Sequence, residues 1–219
     1  MEKKVGVLLS GCGVYDGSEI HEAVLTLLAL DKAGAKAVCM APDIEQLHVV
    51  NHLSQETTDE KRNVLVESAR IARGEIQNLK DVKAEDIDAL ILPGGFGAAK
   101  NLSTFAVHGP DAQVNPEVER IIKEMVGAKK PVGAICIAPA TLTKIISDKK
   151  PQVTIGNDLS TAQAIEKMGG VHHNCGVDRI HIDKNNRLVT TPAYMLGPGI
   201  KDVAVGIEEL VNEIMVMID

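Results

Sequence analysis

The sharpest chemical signal in the sequence is the run Gly133-Ala-Ile-Cys136-Ile-Ala-Pro-Ala140. A short apolar segment stops at a cysteine and a helix-forming segment begins at once. Ala134 and Ala138 flank the cysteine at minus two and plus two. A nucleophile elbow needs small residues there, because its strained turn brings neighbouring backbones close together. A helix N-terminus beside the thiol would favour the thiolate, the form that attacks carbon. The competing reading is a buried structural cysteine, a common fate for this side chain.

Two further stretches would supply partners. In Leu92-Pro-Gly-Gly-Phe-Gly-Ala-Ala-Lys-Asn101 the glycines follow a buried strand. There the N–H of Gly94 or Gly95, with that of Ile137, would form an oxyanion hole; an ordinary tight turn explains the same glycines. In Gly17-Ser-Glu19-Ile-His21-Glu22 the acids fall in the first turn of a helix, where the dipole favours carboxylates in any case. Glu19 and Glu22 share a face, and one of them would point across the sheet end at Cys136. His172-His173-Asn-Cys175 opens a late strand, and His172 or His173 would face the cysteine as a base. With Asp178 or His181 these residues also suggest a metal set. Alternation along a strand separates such neighbours, though, and no HExxH spacing is present, so no metal is expected. Gly11-x-Gly13-x-x-x-Gly17 misses the dinucleotide fingerprint by one residue, and Tyr15 and Asp16 would crowd a pyrophosphate, so no such cofactor is expected.

The elements that must position these groups follow from short apolar runs alternating with amphipathic stretches, the pattern of βα units on a mostly parallel sheet. Strands are expected over 5–10, 36–41, 88–92, 131–135 and 152–155, with two more around the turn at Asn185-Asn186. Helices are expected over 18–33 (N-cap Ser18, stop Gly34), up to Arg73 from a capping box at Thr57-Thr-Asp-Glu60, and over 115–128, 159–168 and 199–217. Residues 44–57 read as an excursion or hairpin.

Composition bounds the rest. Aromatic residues make up 2% of the 219 and Trp is absent, so the core must be Val, Ile, Leu, Ala and Met. That suits strands buried on both faces. No linker or repeat divides the chain, and one domain over 1–219 is expected. A net charge of −7 argues against nucleic-acid or anionic-membrane partners. There is no apolar run long enough to span a bilayer. The N-terminus does not read as a signal peptide. Four widely spaced cysteines without a CxxC read as reduced thiols, which suggests a cytoplasmic protein. The apolar tail Ile214-Met-Val-Met-Ile218 would pack on a partner or on the core.

Taken together, the Pro93-Gly-Gly turn, the Ala-Ile-Cys136 elbow and the Gly34-Ala-Lys-Ala-Val strand entry resemble the PfpI and class I glutamine amidotransferase-like superfamily. SGCGVYDGSEIHEA, LPGGFGAAKN, CIAPA and TTPAYM resemble its ElbB-like branch, associated with isoprenoid biosynthesis and glyoxalase III-like chemistry. The resemblance implies an α/β, flavodoxin-like three-layer sandwich with helices on both faces of a mostly parallel sheet. It places the nucleophile at Cys136, the carboxylate at Glu22, twelve residues before Gly34, and the late-strand histidine at His172 or His173. Ile137 stands where the protease-like branch has histidine, and Thr190-Thr-Pro-Ala-Tyr194 lacks the His-x-Glu of amidotransferases, so neither of those activities is expected. The implied function is a cofactor-independent glyoxalase that turns glyoxal, a small dicarbonyl, into glycolate through a cysteine hemithioacetal. Its alternatives are deglycation of glycated groups and a non-enzymatic redox sensor or partner-binding protein in which Cys136 is oxidised. A homodimer is also implied. Nothing in the residues suggests a prenyl pocket.

Overall fold

The computed structural model describes residues 2–218. In chain order the elements are β1 (Lys4–Leu8), α1 (Ile20–Lys32), β2 (Lys36–Ala41), the hairpin β3 (Val49–Val50) and β4 (Thr57–Thr58), α2 (Val64–Ile71), β5 (Ile76–Asn78), β6 (Ala89–Leu92), α3 (Phe96–Lys100), α4 (Phe105–His108), α5 (Pro116–Gly127), β7 (Val132–Ile135), α6 (Ala138–Ile145), β8 (Gln152–Val153), α7 (Leu159–Lys167), β9 (Val171–His172), β10 (His181–Asp183), β11 (Leu188–Thr191) and α8 (Ile200–Ile218).

Seven strands form the main sheet in the order β10-β11-β7-β6-β1-β2-β5. Its neighbours pair in parallel, except for β10 against β11. Strands β6 and β7 are wholly buried, as their unbroken apolar runs require once helices cover both faces. On one face Leu90 and Leu92 pack with Ile121, Ile122 and Met125 of α5 and Leu142 of α6. On the other, Val5, Val7 and Ile91 pack with Leu30 of α1 and with Ile207, Leu210 and Val211 of α8. This is the α/β, mostly parallel, flavodoxin-like sandwich expected. The C-terminal tail joins the second layer: Ile214 is buried, and Met215, Met217 and Ile218 pack against that cluster. Among the described residues, no helix is long and apolar enough to cross a membrane.

Local expectations fail in three places, each through a tertiary contact. Ser18 does not cap α1. Its hydroxyl is buried and accepts from Ser10 N–H, and Glu19 is the cap. Thr57 and Thr58 form no capping box, because they pair with Val50 and Val49 in the hairpin; α2 starts later, capped by Asn63. Strand β8 lies outside the main sheet and pairs only with β9, which carries His172 into that small ribbon.

The order of the main sheet locates the site. From β1 the chain moves outward through β2 to β5, then returns to β6 on the other side of β1. Connections leaving β1 and β6 therefore diverge, and the crevice between them at the carboxyl ends of the strands is where open α/β sheets bind ligands. Glu22 follows β1, Gly94 and Gly95 follow β6, and Cys136 follows β7.

Candidate active site

Cys136 sits at the corner between β7 and α6 with φ = 62°. This is left-handed backbone, which costs a non-glycine residue on the order of 1–2 kcal/mol. The surrounding structure holds it there: Cys136 N–H donates to Thr191 O at 2.9 Å, and α6 begins two residues later with Pro139 in its first turn. The turn lifts the sulfur out of the strand line toward the crevice. Cys136 keeps 8% exposure and lines a cleft, so it is not sealed in the aliphatic core.

Glu22 meets it from α1. The carboxyl is fully buried and lies beside the cysteine side chain across Gly94. Gly94 N–H donates to its Oε2 at 2.9 Å, and Tyr194 N–H to its Oε1 at 3.2 Å. Burial, then the negative charge of Glu19, push its pKa from 4.5 up to about 8 despite these donors. At neutral pH the carboxyl therefore carries a proton. Burial, and next the charge Glu22 would carry if ionised, push the Cys136 thiol upward; the backbone N–H groups of Gly95 and Ile137 pull the other way. This corrects the expectation that the helix N-terminus alone makes a ready thiolate: burial dominates. Because Glu22 and Cys136 each shift the other's protonation, the two titrate together.

Both acids singled out in the sequence have a place. Glu19 caps α1, its side chain accepting from Glu22 N–H at 2.7 Å, and it also lines the cleft. It acts on the sulfur through Glu22, whose protonated form it favours. Of the three expected oxyanion donors, Gly94 must be corrected: its N–H is committed to Glu22. Gly95 and Ile137 remain. The Gly-Gly turn is demanded sterically. A Cβ on Gly94 would lie 2.4 Å from Cys136 Cβ, and one on Gly95, where φ is 93°, would lie 2.3 Å from Glu19 N.

His172 and His173 are not brought to Cys136. His172 Nε2 faces Ile155 N–H at 3.3 Å, and His173 Nε2 meets Gln152 Oε1 at 3.1 Å while its ring stacks on His181 at 4.1 Å. Neither lines the cleft. The neighbouring aromatic residues are ones the sequence reading passed over. Tyr194 lines the cleft, and its hydroxyl meets His21 Nδ1 at 2.7 Å. The available signal was the position of His21, directly before Glu22 on α1. The Gly11–Gly17 loop is filled by its own chain: Gly11 N–H donates to Ser68, Tyr15 N–H to His52 and Gly13 N–H to Ser18 O. Among the described residues, no group of three or more His, Cys, Asp or Glu side chains stands close enough to hold a metal ion.

The cleft measures about 550 Å³. Its walls are mainly apolar, from Phe96, Phe105, Ala106, Ile137, Ala164 and Met195, with Tyr194, Glu19 and the start of α7 at Asp158 supplying the polar part.

A cysteine on a left-handed corner after a central parallel strand, paired with an acid from the first helix, matches a family pattern. The model of the DJ-1/PfpI family matches residues 11–191. The chain belongs to the DJ-1/PfpI family. Its relatives include an ES1 protein homolog, mitochondrial, from Rattus norvegicus, 48% identical across 97% of this chain and 83% of that protein. Another is the human glutamine amidotransferase-like class 1 domain-containing protein 3, mitochondrial, 46% identical across 97% and 82%. A crystal structure of an isoprenoid biosynthesis protein with amidotransferase-like domain, from Ehrlichia chaffeensis, superposes with a TM-score of 0.94 at 40% identity, covering 99% of this chain and all of that one. The glyoxalase III of Candida albicans shares the DJ-1/PfpI fold at a TM-score of 0.63 and 15% identity, over 96% of this chain and 97% of that one. The mitochondrial names overturn the expectation of a cytoplasmic protein. That expectation rested on reduced thiols, which indicate a reducing environment and do not single out one compartment.

Proposed function

We propose that the chain is a cofactor-independent glyoxalase that converts glyoxal to glycolate. The observation that carries this reading is the Cys136–Glu22 pair: a sulfur on a strained corner, open to a cleft, beside a fully buried carboxyl whose pKa burial and Glu19 push up to about 8. The shared fold with a protein named glyoxalase III supports it.

The active form of the pair carries one proton and one negative charge. Sulfur adds to an aldehyde carbon, and the oxyanion that forms faces the N–H groups of Gly95 and Ile137 before taking the proton of Glu22. A hemithioacetal results, and Glu22 is now a carboxylate able to act as a base. It removes the hydrogen on the sulfur-bearing carbon and returns a proton to the second carbon, while the hydroxyl proton passes to the second oxygen. The product is a thioester of glycolate, oxidised at one carbon and reduced at the other, with no external redox partner. Water then attacks the thioester, Glu22 takes its proton, and sulfur departs as the thiolate, restoring the starting pair. Tyr194, held by His21, is a further hydroxyl facing the cleft.

The test is glycolate formation by the purified chain from glyoxal, followed by enzymatic or chromatographic assay with no added thiol. Turnover that vanishes in Cys136→Ala and falls at least about 100-fold in Glu22→Gln supports the reading. Full activity in either variant defeats it.

A further inference from the structure

A two-carbon dialdehyde occupies only a corner of the cleft beside Cys136. The remaining space is of the size that encloses far larger ligands, and it runs between α4 and α7 over apolar walls: Phe96, Phe105, Ala106, Ala164 and Met195. Phe96 and Ala106 are exposed and Phe105, Ala164 and Met195 half-buried, so these side chains present their apolar atoms to the cleft. The charged part of the lining has one sign. Glu19 and Asp158 are carboxylates, and among the described residues no Lys, Arg or His side chain lines the cleft. Asp158 stays ionised, because hydrogen bonds from Thr161 and Ser160 hold its carboxyl below the usual range. A phosphate or carboxylate on the substrate would face two like charges, while Lys100, which stacks over the Phe96 ring at 5.0 Å, is held to Tyr15 O and does not line the cleft.

We infer that the cleft selects an uncharged 2-oxoaldehyde carrying an apolar chain, R–CO–CHO with R of several carbons, over glyoxal itself. This rests on the glyoxalase reading above. The steps are unchanged: sulfur adds to the aldehyde carbon, the hydrogen moves to the ketone carbon, and water releases R–CH(OH)–COO⁻. The chain R lies along the walls of α4 and α7, where each buried methylene adds to the stabilisation of the bound state.

The experiment measures kcat/KM for straight-chain 2-oxoaldehydes from methyl to pentyl, with a carboxylate-ended substrate of equal length as control. The expected result is a rise of about two- to fourfold per methylene, with the carboxylate-ended substrate at least about tenfold poorer than its neutral partner. In Ala164→Phe, which fills the cleft from α7, the ratio of pentyl to methyl kcat/KM should fall at least about tenfold. A flat or falling series in a chain that turns over the methyl compound overturns the inference while leaving the glyoxalase reading intact. A second readout needs no turnover. Unreactive 2-alkanones should slow alkylation of Cys136 by iodoacetamide, followed by mass spectrometry of its peptide, and should do so more strongly as they lengthen. Protection independent of length also overturns the inference. A chain that turns over no oxoaldehyde, yet shows protection rising with length, separates failure of the catalytic reading from success of the apolar selection.

Discussion

Two regions of this molecule carry the side chains that chemistry uses, and they behave in opposite ways. At the corner after β7, Cys136, Glu22, Gly95 and Ile137 converge on one sulfur at the carboxyl end of the parallel strands. In the ribbon of β8 and β9, His172 and His173 are turned toward Ile155, Gln152 and His181, beyond the antiparallel edge of the sheet. Residue type does not separate the two. What separates them is where the elements deliver the residues: at the switch point, three independent strand ends aim at one space, whereas the two-stranded ribbon turns its histidines onto the Ile155 backbone, the Gln152 side chain and the His181 ring.

The contrast yields predictions that run from large to small. Cys136→Ala should abolish glycolate formation, by at least about 1,000-fold, because nothing else at the corner can form the covalent intermediate. Glu22→Gln should cost about 100- to 1,000-fold, since the amide keeps the shape but neither gives nor takes the proton. The pH profile should follow the pair. With Glu22 pushed to about 8 and the thiol higher, the singly anionic form gains tenfold per pH unit below about 8, so kcat/KM should climb with that slope and level off there. A profile flat from pH 5 to 8 would contradict the shared proton.

Stability should show the reverse trend. Glu22 is protonated in the folded chain up to about 8, but only to about 4.5 once unfolded. Its contribution is therefore full below about 4.5 and is lost as pH rises through about 8. Relative to Glu22→Gln, the natural chain should lose on the order of 2–4 kcal/mol between pH 5 and pH 8, measured by urea unfolding at each pH. The smallest effect belongs to the ribbon: His172→Ala and His173→Ala should each leave glyoxal turnover within about twofold. A loss comparable with that of Glu22→Gln would erase the distinction between the two regions.

How much of this was legible in the sequence depends on the range of the interaction. The strands showed clearly, because β6 and β7 are apolar without interruption and are bounded by turn residues. The elbow at Cys136 and the need for glycine after β6 also showed, since both are local steric demands. Elements decided by distant partners did not. Ser18 has the chemistry of a helix cap, but Ser10 N–H claims its hydroxyl. Thr57-Thr-Asp-Glu60 has the letters of a capping box, but Val49 and Val50 recruit it as a strand. The placement of His172 or His173 at the site followed from their position at the start of a late strand as well as from resemblance, and the pairing of β9 with β8 removes the geometry both assumed. Glu22 was legible as a candidate, whereas its protonation was not, because that depends on burial and on Glu19 together.

The left-handed backbone at Cys136 has a consequence for how this fold tolerates change. Glycine ordinarily loosens a chain relative to alanine, but at φ = 62° the Cβ is the strained atom and its removal brings relief. Two inactive proteins, Cys136→Gly and Cys136→Ala, should therefore invert the usual ranking, with the glycine form melting at the higher temperature. The position most suited to reactivity is one that selection for thermal robustness alone would hand to glycine.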